Sequence, residues 1–223
     1  MNKIDLICYD FDGTLCNTLP DIVNSMNTVL EKNGFMAIPE SKVRSFIGSG
    51  ISKLVERSVY CALAGDENES VNPKLLNKIT EEMGRHYTRH LMDNSFLYND
   101  TKEILTFFSN VPQIIVSNKP EQMVEIMLRH YGIDQYFDLV VGGDTLDVCK
   151  PNVKVWKYVK KKIPFEKNIN GIMVGDSIPD LLFGKTAGLT TVAVTYGYND
   201  LHVLKAEGAD HYIDSLTALK IIL

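Results

Sequence analysis

In "ICYDFDGTLCNT", residues 7–18, two aspartates flank one phenylalanine at the end of an apolar run. Carboxylates repel each other and lose hydration where an apolar strand carries them inward, so Asp10 and Asp12 have two readings. One is an acidic, solvated turn that closes a strand. The other is a site that uses two carboxylates side by side and needs a cation or a proton between them. Alternate residues of a strand project to the same side, which puts Asp10 and Asp12 together and turns Phe11 toward apolar packing. Three later stretches favour the second reading: "IIVSNK" carries Ser117, the loop after "DLVV" leads to Lys150, and "GIMVGDSIPD" carries Asp176 and Asp180 four residues apart near a helix start. Hard oxygen ligands with few histidines favour Mg²⁺ over Zn²⁺. A lysine and a hydroxyl beside them suit an anion. Nucleophile, proton shuttle, metal and positive charge are the parts that phosphoryl transfer requires.

These residues converge only if the right elements carry them. The runs "IDLICY" (4–9), "QIIV" (113–116), "DLVV" (138–141), "GIMV" (171–174) and "TTVAV" (190–194) each stop just before a polar or glycine-rich loop. Continuous apolar runs suit strands covered on both faces, as in a parallel sheet. Between them, "PEQMVEIMLRHYG" and "PNVKVWKYVKKK" have helical apolar spacing and open on proline, which is favoured in a first turn. Alternation of strand and helix from about residue 99 onward predicts an α/β fold, a doubly wound parallel sheet. In such sheets ligands sit beyond the carboxyl ends of the strands, where these side chains fall. From 21 to 91 the pattern is helical ("DIVNSMNTVLEKNG", "GISKLVERSVYCALAG", "NPKLLNKITEEMGRHYTRHL") and no strand is predicted. The domain organisation read from this is a core of 1–17 plus 94–223 with an inserted helical block at 18–93.

The bulk properties are those of an ordinary globular protein: 223 residues, 45% hydrophobic and 23% charged. A net charge of −5 argues against general nucleic-acid affinity. No apolar run reaches membrane-spanning length, and the acidic residue in "MNKIDLICYDFDG" comes too early for a signal peptide. The four cysteines, Cys8, Cys16, Cys61 and Cys149, form no C-x-x-C pair, and Cys8 reads as a small buried hydrophobe. A reducing, cytoplasmic setting is expected.

"DFDGT", "VSN", "CKP" and "GDSIPD", in that order, resemble the four motifs of the haloacid dehalogenase superfamily, and the resemblance covers essentially the whole chain. "FIGSG" (46–50), "GGD" (142–144) and "TYGYN" (195–199) further resemble its phosphoglycolate phosphatase-like branch, with a helical cap between the first and second motifs. The resemblance implies a Rossmann-like core with a C1-type cap. It implies that Asp10 attacks phosphorus and carries an aspartyl-phosphate, and that Asp12 protonates the leaving alkoxide and then activates water. Thr14 would fix the Asp12 loop, while Ser117, Asn118 and Lys150 would hold phosphate oxygens. Mg²⁺ would be bound by Asp10, the Asp12 carbonyl and Asp176, with Asp180 in close support. The implied substrate is a small phosphorylated metabolite, 2-phosphoglycolate first, and the implied assembly a monomer or homodimer. The pattern departs from the family's commoner residues at Cys16–Asn17 and at Cys149.

Other stretches are weighed the same way. Gly48, Ser49 and Gly50 read either as a loop into a helix or as a helix start whose amides bind an anionic substrate tail, with Lys53 and Arg57 adding charge. An EF-hand fails on spacing, since Gly13 is fourth from Asp10 and that loop needs glycine sixth. "GKT" (184–186) lacks the earlier glycine of a nucleotide-binding loop and lies in a helical pattern. His86 and His90 share a helix face without the glutamate of a zinc motif. Three competing functions remain: a sugar-phosphate mutase (β-phosphoglucomutase-like) with the same chemistry, a phosphatase for sugar phosphates, nucleotides or pyrophosphate, and a receiver-like signalling module whose phospho-aspartate persists. A metal-free dehalogenase is disfavoured because it needs neither Asp12 nor Asp176.

Overall fold

A computed structural model describes residues 4–63, 71–163 and 169–222. Chain order begins β1 (Leu6–Tyr9), β2 (Cys16–Asn17), α1 (Leu19–Lys32), α2 (Glu40–Phe46), α3 (Ile51–Ala62), α4 (Pro73–Arg89) and β3 (Phe96–Leu97). It continues α5 (Thr101–Phe107), β4 (Gln113–Val116), α6 (Glu121–Tyr131), β5 (Leu139–Val141), α7 (Val153–Lys162) and β6 (Gly171–Gly175). The last elements are α8 (Ile178–Ala187), β7 (Thr190–Val194), α9 (Leu201–Glu207), β8 (His211–Ile213) and α10 (Leu219–Ile222). The chain divides into two compact units, one of Met1–Asn17 with Leu97–Leu223 and one of Thr18–Phe96.

The first unit is an α/β fold on a six-stranded sheet in the order β5-β4-β1-β6-β7-β8, with every pairing parallel. β1 lies between β4 and β6, with Cys8 opposite Ile114 on one side and Met173 on the other. Leu6 and Cys8 pack with Ile114, Val116 and Met173 against Trp156 of α7 and Phe183 of α8. Ile7 and Tyr9, which point the other way, are equally buried. Burial on both faces is why these strands read as unbroken apolar runs. The chain runs outward from β1 to β4 and β5, then returns to β6 on β1's other flank. That reversal opens a crevice at the carboxyl ends of β1, β4 and β6.

Among the described residues the second unit holds four helices, α4 packing on α1 and α3. Their apolar stripes carry Met26, Val29, Leu30, Val59, Ile79 and Met83, all buried. Pro20 in the first turn starts α1 two residues before the predicted "DIVNS", and Asn72 caps α4 by accepting from Lys74 N–H at 2.9 Å. The predicted helix over 50–65 is observed as Ile51–Ala62, and its last two residues lie outside the described ones. The unit reaches Phe96, past the 93/94 border read from the pattern, because Asn94 and Ser95 are tied back to α1. The Asp21 carboxylate accepts from the Asn94 N–H and side-chain amide at 3.0 Å and from the Ser95 N–H and hydroxyl at 2.8 and 2.7 Å. His86 and His90 stack at 4.4 Å, with His86 bonding Ser25 and His90 bonding Asp93. Among the described residues, no helix is long and apolar enough to cross a membrane.

Candidate active site

The chain turns sharply where β1 ends. The Phe11 carbonyl accepts from Leu15 N–H at 3.0 Å and Cys16 N–H at 3.1 Å, while Gly13 N–H donates to the Cys16 carbonyl at 2.8 Å. Gly13 sits at φ 78°, and a Cβ there would lie 2.4 Å from Asp176 Oδ2. Only glycine meets both demands. Phe11, in the turn beyond β1, is fully buried, and its N–H donates to Asp10 Oδ1 at 2.7 Å.

Asp10, Asp176 and Asp180 are all buried and place one carboxylate oxygen each within 4.8 Å of one another. The buried Lys150 ammonium lies 3.2 Å from Asp10 Oδ1 and 2.5 Å from Asp180 Oδ1. Ser117, at the end of β4, bonds the Asp10 carboxylate through its side chain. Asp180 Oδ2 accepts the Ser177 N–H at 2.9 Å and its hydroxyl at 2.5 Å, so the capping box that starts α8 also aims the carboxylate. Asp176 Oδ2 accepts Tyr198 N–H at 2.7 Å, and Thr14 Oγ1 donates to Oδ1 at 3.4 Å. The Tyr196 hydroxyl donates to the Thr14 carbonyl at 2.7 Å, which ties "TYGYN" to the first loop. Asn118 donates to the Lys150 carbonyl at 3.2 Å.

Asp12 is held apart from this cluster, by a residue the sequence reading left out. Lys119 Nζ lies 3.0 and 3.3 Å from the two Asp12 oxygens, with its side chain only 2% exposed. "VSNK" puts a cation two residues beyond Ser117, but nothing in the local pattern separates it from a solvated loop lysine. Gly48, Ser49, Gly50 and Lys53 belong to the other unit. Gly48 and Gly50 take φ of 108° and 85° ahead of α3, and Lys53 pairs with Glu56 at 2.6 Å in solvent. "GKT" lies within α8, a helix and not a phosphate loop.

Electrostatics show what the cluster lacks. Burial, then the charge of Asp180, push the Asp10 carboxyl up to about 6, against the opposing pull of Lys150. Burial, then the charges of Asp180 and Asp10, push Asp176 well above the usual carboxylate range. Burial works against the Lys150 charge, but Asp10 and Asp180 outweigh it and hold its pKa high. Three buried carboxylates meet a single ammonium in the cluster, and the upward shifts of Asp10 and Asp176 reflect the cost of gathering that negative charge with too little positive charge beside it. A divalent cation would supply compensating positive charge, and three converging carboxylate oxygens are a donor set that a hard one takes. The residues present fit Mg²⁺.

Residues 7–194 match the model of the haloacid dehalogenase-like hydrolases. The chain is 31% identical to a phosphoglycolate phosphatase of Neisseria gonorrhoeae over 93% of this chain and 86% of that one. It is 32% identical to a phosphoglycolate phosphatase of Haemophilus influenzae over 99% of both. The crystal structure of a predicted phosphoglycolate phosphatase from Haemophilus somnus superposes over the whole of both chains with a TM-score of 0.91 at 30% identity. The chain belongs to the haloacid dehalogenase-like hydrolase family and is an enzyme of that family.

Proposed function

We propose that this enzyme is a Mg²⁺-dependent phosphatase that hydrolyses 2-phosphoglycolate to glycolate and phosphate through an aspartyl-phosphate. The observation that carries the reaction class is the buried Asp10 carboxylate, set against Lys150 and Ser117 on one side and Asp176 and Asp180 on the other. The names of the relatives support the substrate.

An Asp10 oxygen attacks phosphorus while Lys150 and Ser117 hold the phosphoryl oxygens. Asp12 gives a proton to the departing ester oxygen. It then takes one from the water that attacks phosphorus, breaking the bond to Asp10 and freeing phosphate. Asp10, the Asp12 carbonyl and Asp176 would hold Mg²⁺ with Asp180 beside them, which would place positive charge against the phosphoryl oxygens. The helical unit is proposed as the part that selects among monoesters, with Gly48, Ser49, Gly50 and Lys53 as its anion-binding residues. The four free thiols support a reducing, cytoplasmic setting.

The test is phosphate release across 2-phosphoglycolate, sugar phosphates, nucleotides and pyrophosphate, with Asp10→Asn alongside. Phosphoglycolate should rank first and Asp10→Asn should be silent but folded. A low rank for phosphoglycolate overturns the substrate, dependence on a bisphosphate activator makes the enzyme a mutase, and an active Asp10→Asn removes the nucleophile.

A further inference from the structure

Asp12 lies outside the oxygen cluster of Asp10, Asp176 and Asp180 and is held by Lys119. The ammonium contacts both carboxylate oxygens at similar distances, 3.0 and 3.3 Å, so it sits across the fork. A cation at both oxygens restrains the last torsion of the aspartate, which otherwise has a broad, two-fold preference. The Lys119 side chain is almost fully buried, and an ammonium is kept there only where a partner compensates its lost hydration.

The backbone sets the aim of this lysine. Lys119 N–H donates to Ser117 Oγ at 3.3 Å, and its carbonyl accepts from Gly143 N–H at 2.8 Å. Two consecutive glycines let the 142–145 loop press on the 118–121 loop. A Cβ at Gly143 would lie 2.4 Å from the Asn118 carbonyl oxygen, and one at Gly142 would lie 2.3 Å from the Glu121 nitrogen. Asp144 Oδ1 accepts Glu121 N–H at 2.7 Å, and the Thr145 hydroxyl donates to the Glu121 carboxylate. The "GGD" stretch, which contributes no group to the acid cluster, is thus a buttress for the loop that bears Lys119.

We propose that Lys119, aimed by the Gly142–Gly143 buttress, is a positioning residue that fixes the Asp12 carboxylate for proton transfer. The inference rests on the phosphatase reading above. Lys119 exchanges no proton itself. In the first step the proton passes from Asp12 to the ester oxygen as the P–O bond breaks. In the second it passes from water to Asp12 as the water oxygen bonds phosphorus and the Asp10–phosphorus bond breaks. Both transfers need an Asp12 oxygen within hydrogen-bond reach of its partner.

The test compares the unaltered enzyme with Lys119→Met and Lys119→Arg on 2-phosphoglycolate and on p-nitrophenyl phosphate, at saturating Mg²⁺, with thermal melts to confirm folding. Lys119→Met should lose about 100-fold in kcat, the scale of a misplaced reacting group, with KM changed by no more than about twofold. Lys119→Arg should recover most of the loss. Nitrophenolate departs without a proton, so Lys119→Met should still release one equivalent of it per enzyme in a burst, then stall at the aspartyl-phosphate. A raised KM with unchanged kcat would make Lys119 a substrate-binding cation and overturn the proposal. Loss without a burst and without recovery by arginine also overturns it. If Lys119→Met does not fold, Gly143→Ala decides, because it displaces Lys119 while leaving every charge in place: a kcat loss at unchanged KM supports the proposal and an unchanged kcat refutes it. Absence of turnover by the unaltered enzyme on every monoester sinks the phosphatase reading and this one together, an outcome visible without any variant.

Discussion

Gly197→Ala would add one methyl group beside Asp176. A Cβ at that position would lie 2.2 Å from Asp176 Cβ and 2.6 Å from its Oδ2. Carbon atoms in contact settle at about 3.5 Å or more, so the carboxylate or the 195–198 loop must give by about 1.3 Å. The Tyr198 N–H that holds Asp176 Oδ2 at 2.7 Å moves with that loop. Mg²⁺ takes oxygens at about 2.0–2.1 Å in near-octahedral array and tolerates no displacement of that size. Loss of such supporting bonds weakens metal binding by roughly 10–100-fold. The Mg²⁺ concentration giving half-maximal phosphate release should therefore rise by that factor, with kcat largely recovered at high Mg²⁺. Overpacking should also cost about 1–3 kcal/mol of stability. Gly184→Ala is the control: its Cβ would meet Thr191 Cγ2 at 2.5 Å, a comparable clash away from the carboxylates. It should melt lower with an unchanged Mg²⁺ response. A folded Gly197→Ala with unaltered Mg²⁺ dependence, or an equal shift in the control, would refute the reasoning.

EDTA should silence phosphate release and added Mg²⁺ should restore it, while full rate in EDTA would remove the ion from the mechanism. Asp21→Ala should lower stability by about 3 kcal/mol, since it strips the acceptor from donors on Asn94 and Ser95; a melting temperature equal to that of the unaltered protein would contradict this. Burial works against the Asp21 anion, but the hydrogen bonds from Ser95 and Asn94 outweigh it and hold its carboxyl below the usual range. Its folded pKa is thus depressed. The stabilisation is complete above the unfolded value of about 3.9 and is lost as pH falls through the lower folded value. Asp21→Asn should lack that portion of the acid-induced loss, and acid melts that run parallel for the two proteins would exclude it.

The central strands were legible because their side chains are covered on both faces, so apolarity alone marked "LICY", "QIIV" and "GIMVG". β8 was not. "HYI" is a three-residue edge strand with two half-buried positions, and neither length nor pattern sets it apart from a loop. α2 escaped for a related reason: seven residues with Val43 alone buried give no stripe to read. At the site, Asp10, Ser117, Lys150, Asp176 and Asp180 stood out because each follows or closely trails a readable strand end. Lys119 did not, because a lysine in a loop reads as solvated, and its pairing with Asp12 joins segments 107 residues apart that no local pattern connects. Gly197 was quoted only as part of a motif. Its steric role against Asp176 depends on a contact between segments that no local pattern encodes.

Where the chain leaves the first unit and where it returns are neighbouring points. The Leu15 carbonyl accepts both the Tyr98 N–H at 3.1 Å and the Thr101 hydroxyl at 2.8 Å, and β2 and β3 form their own two-stranded sheet. An insertion whose ends emerge side by side puts no length requirement on what lies between them, because any segment that begins and finishes at one spot closes the same gap. That junction fixes only where an inserted segment must start and finish, and leaves its length open.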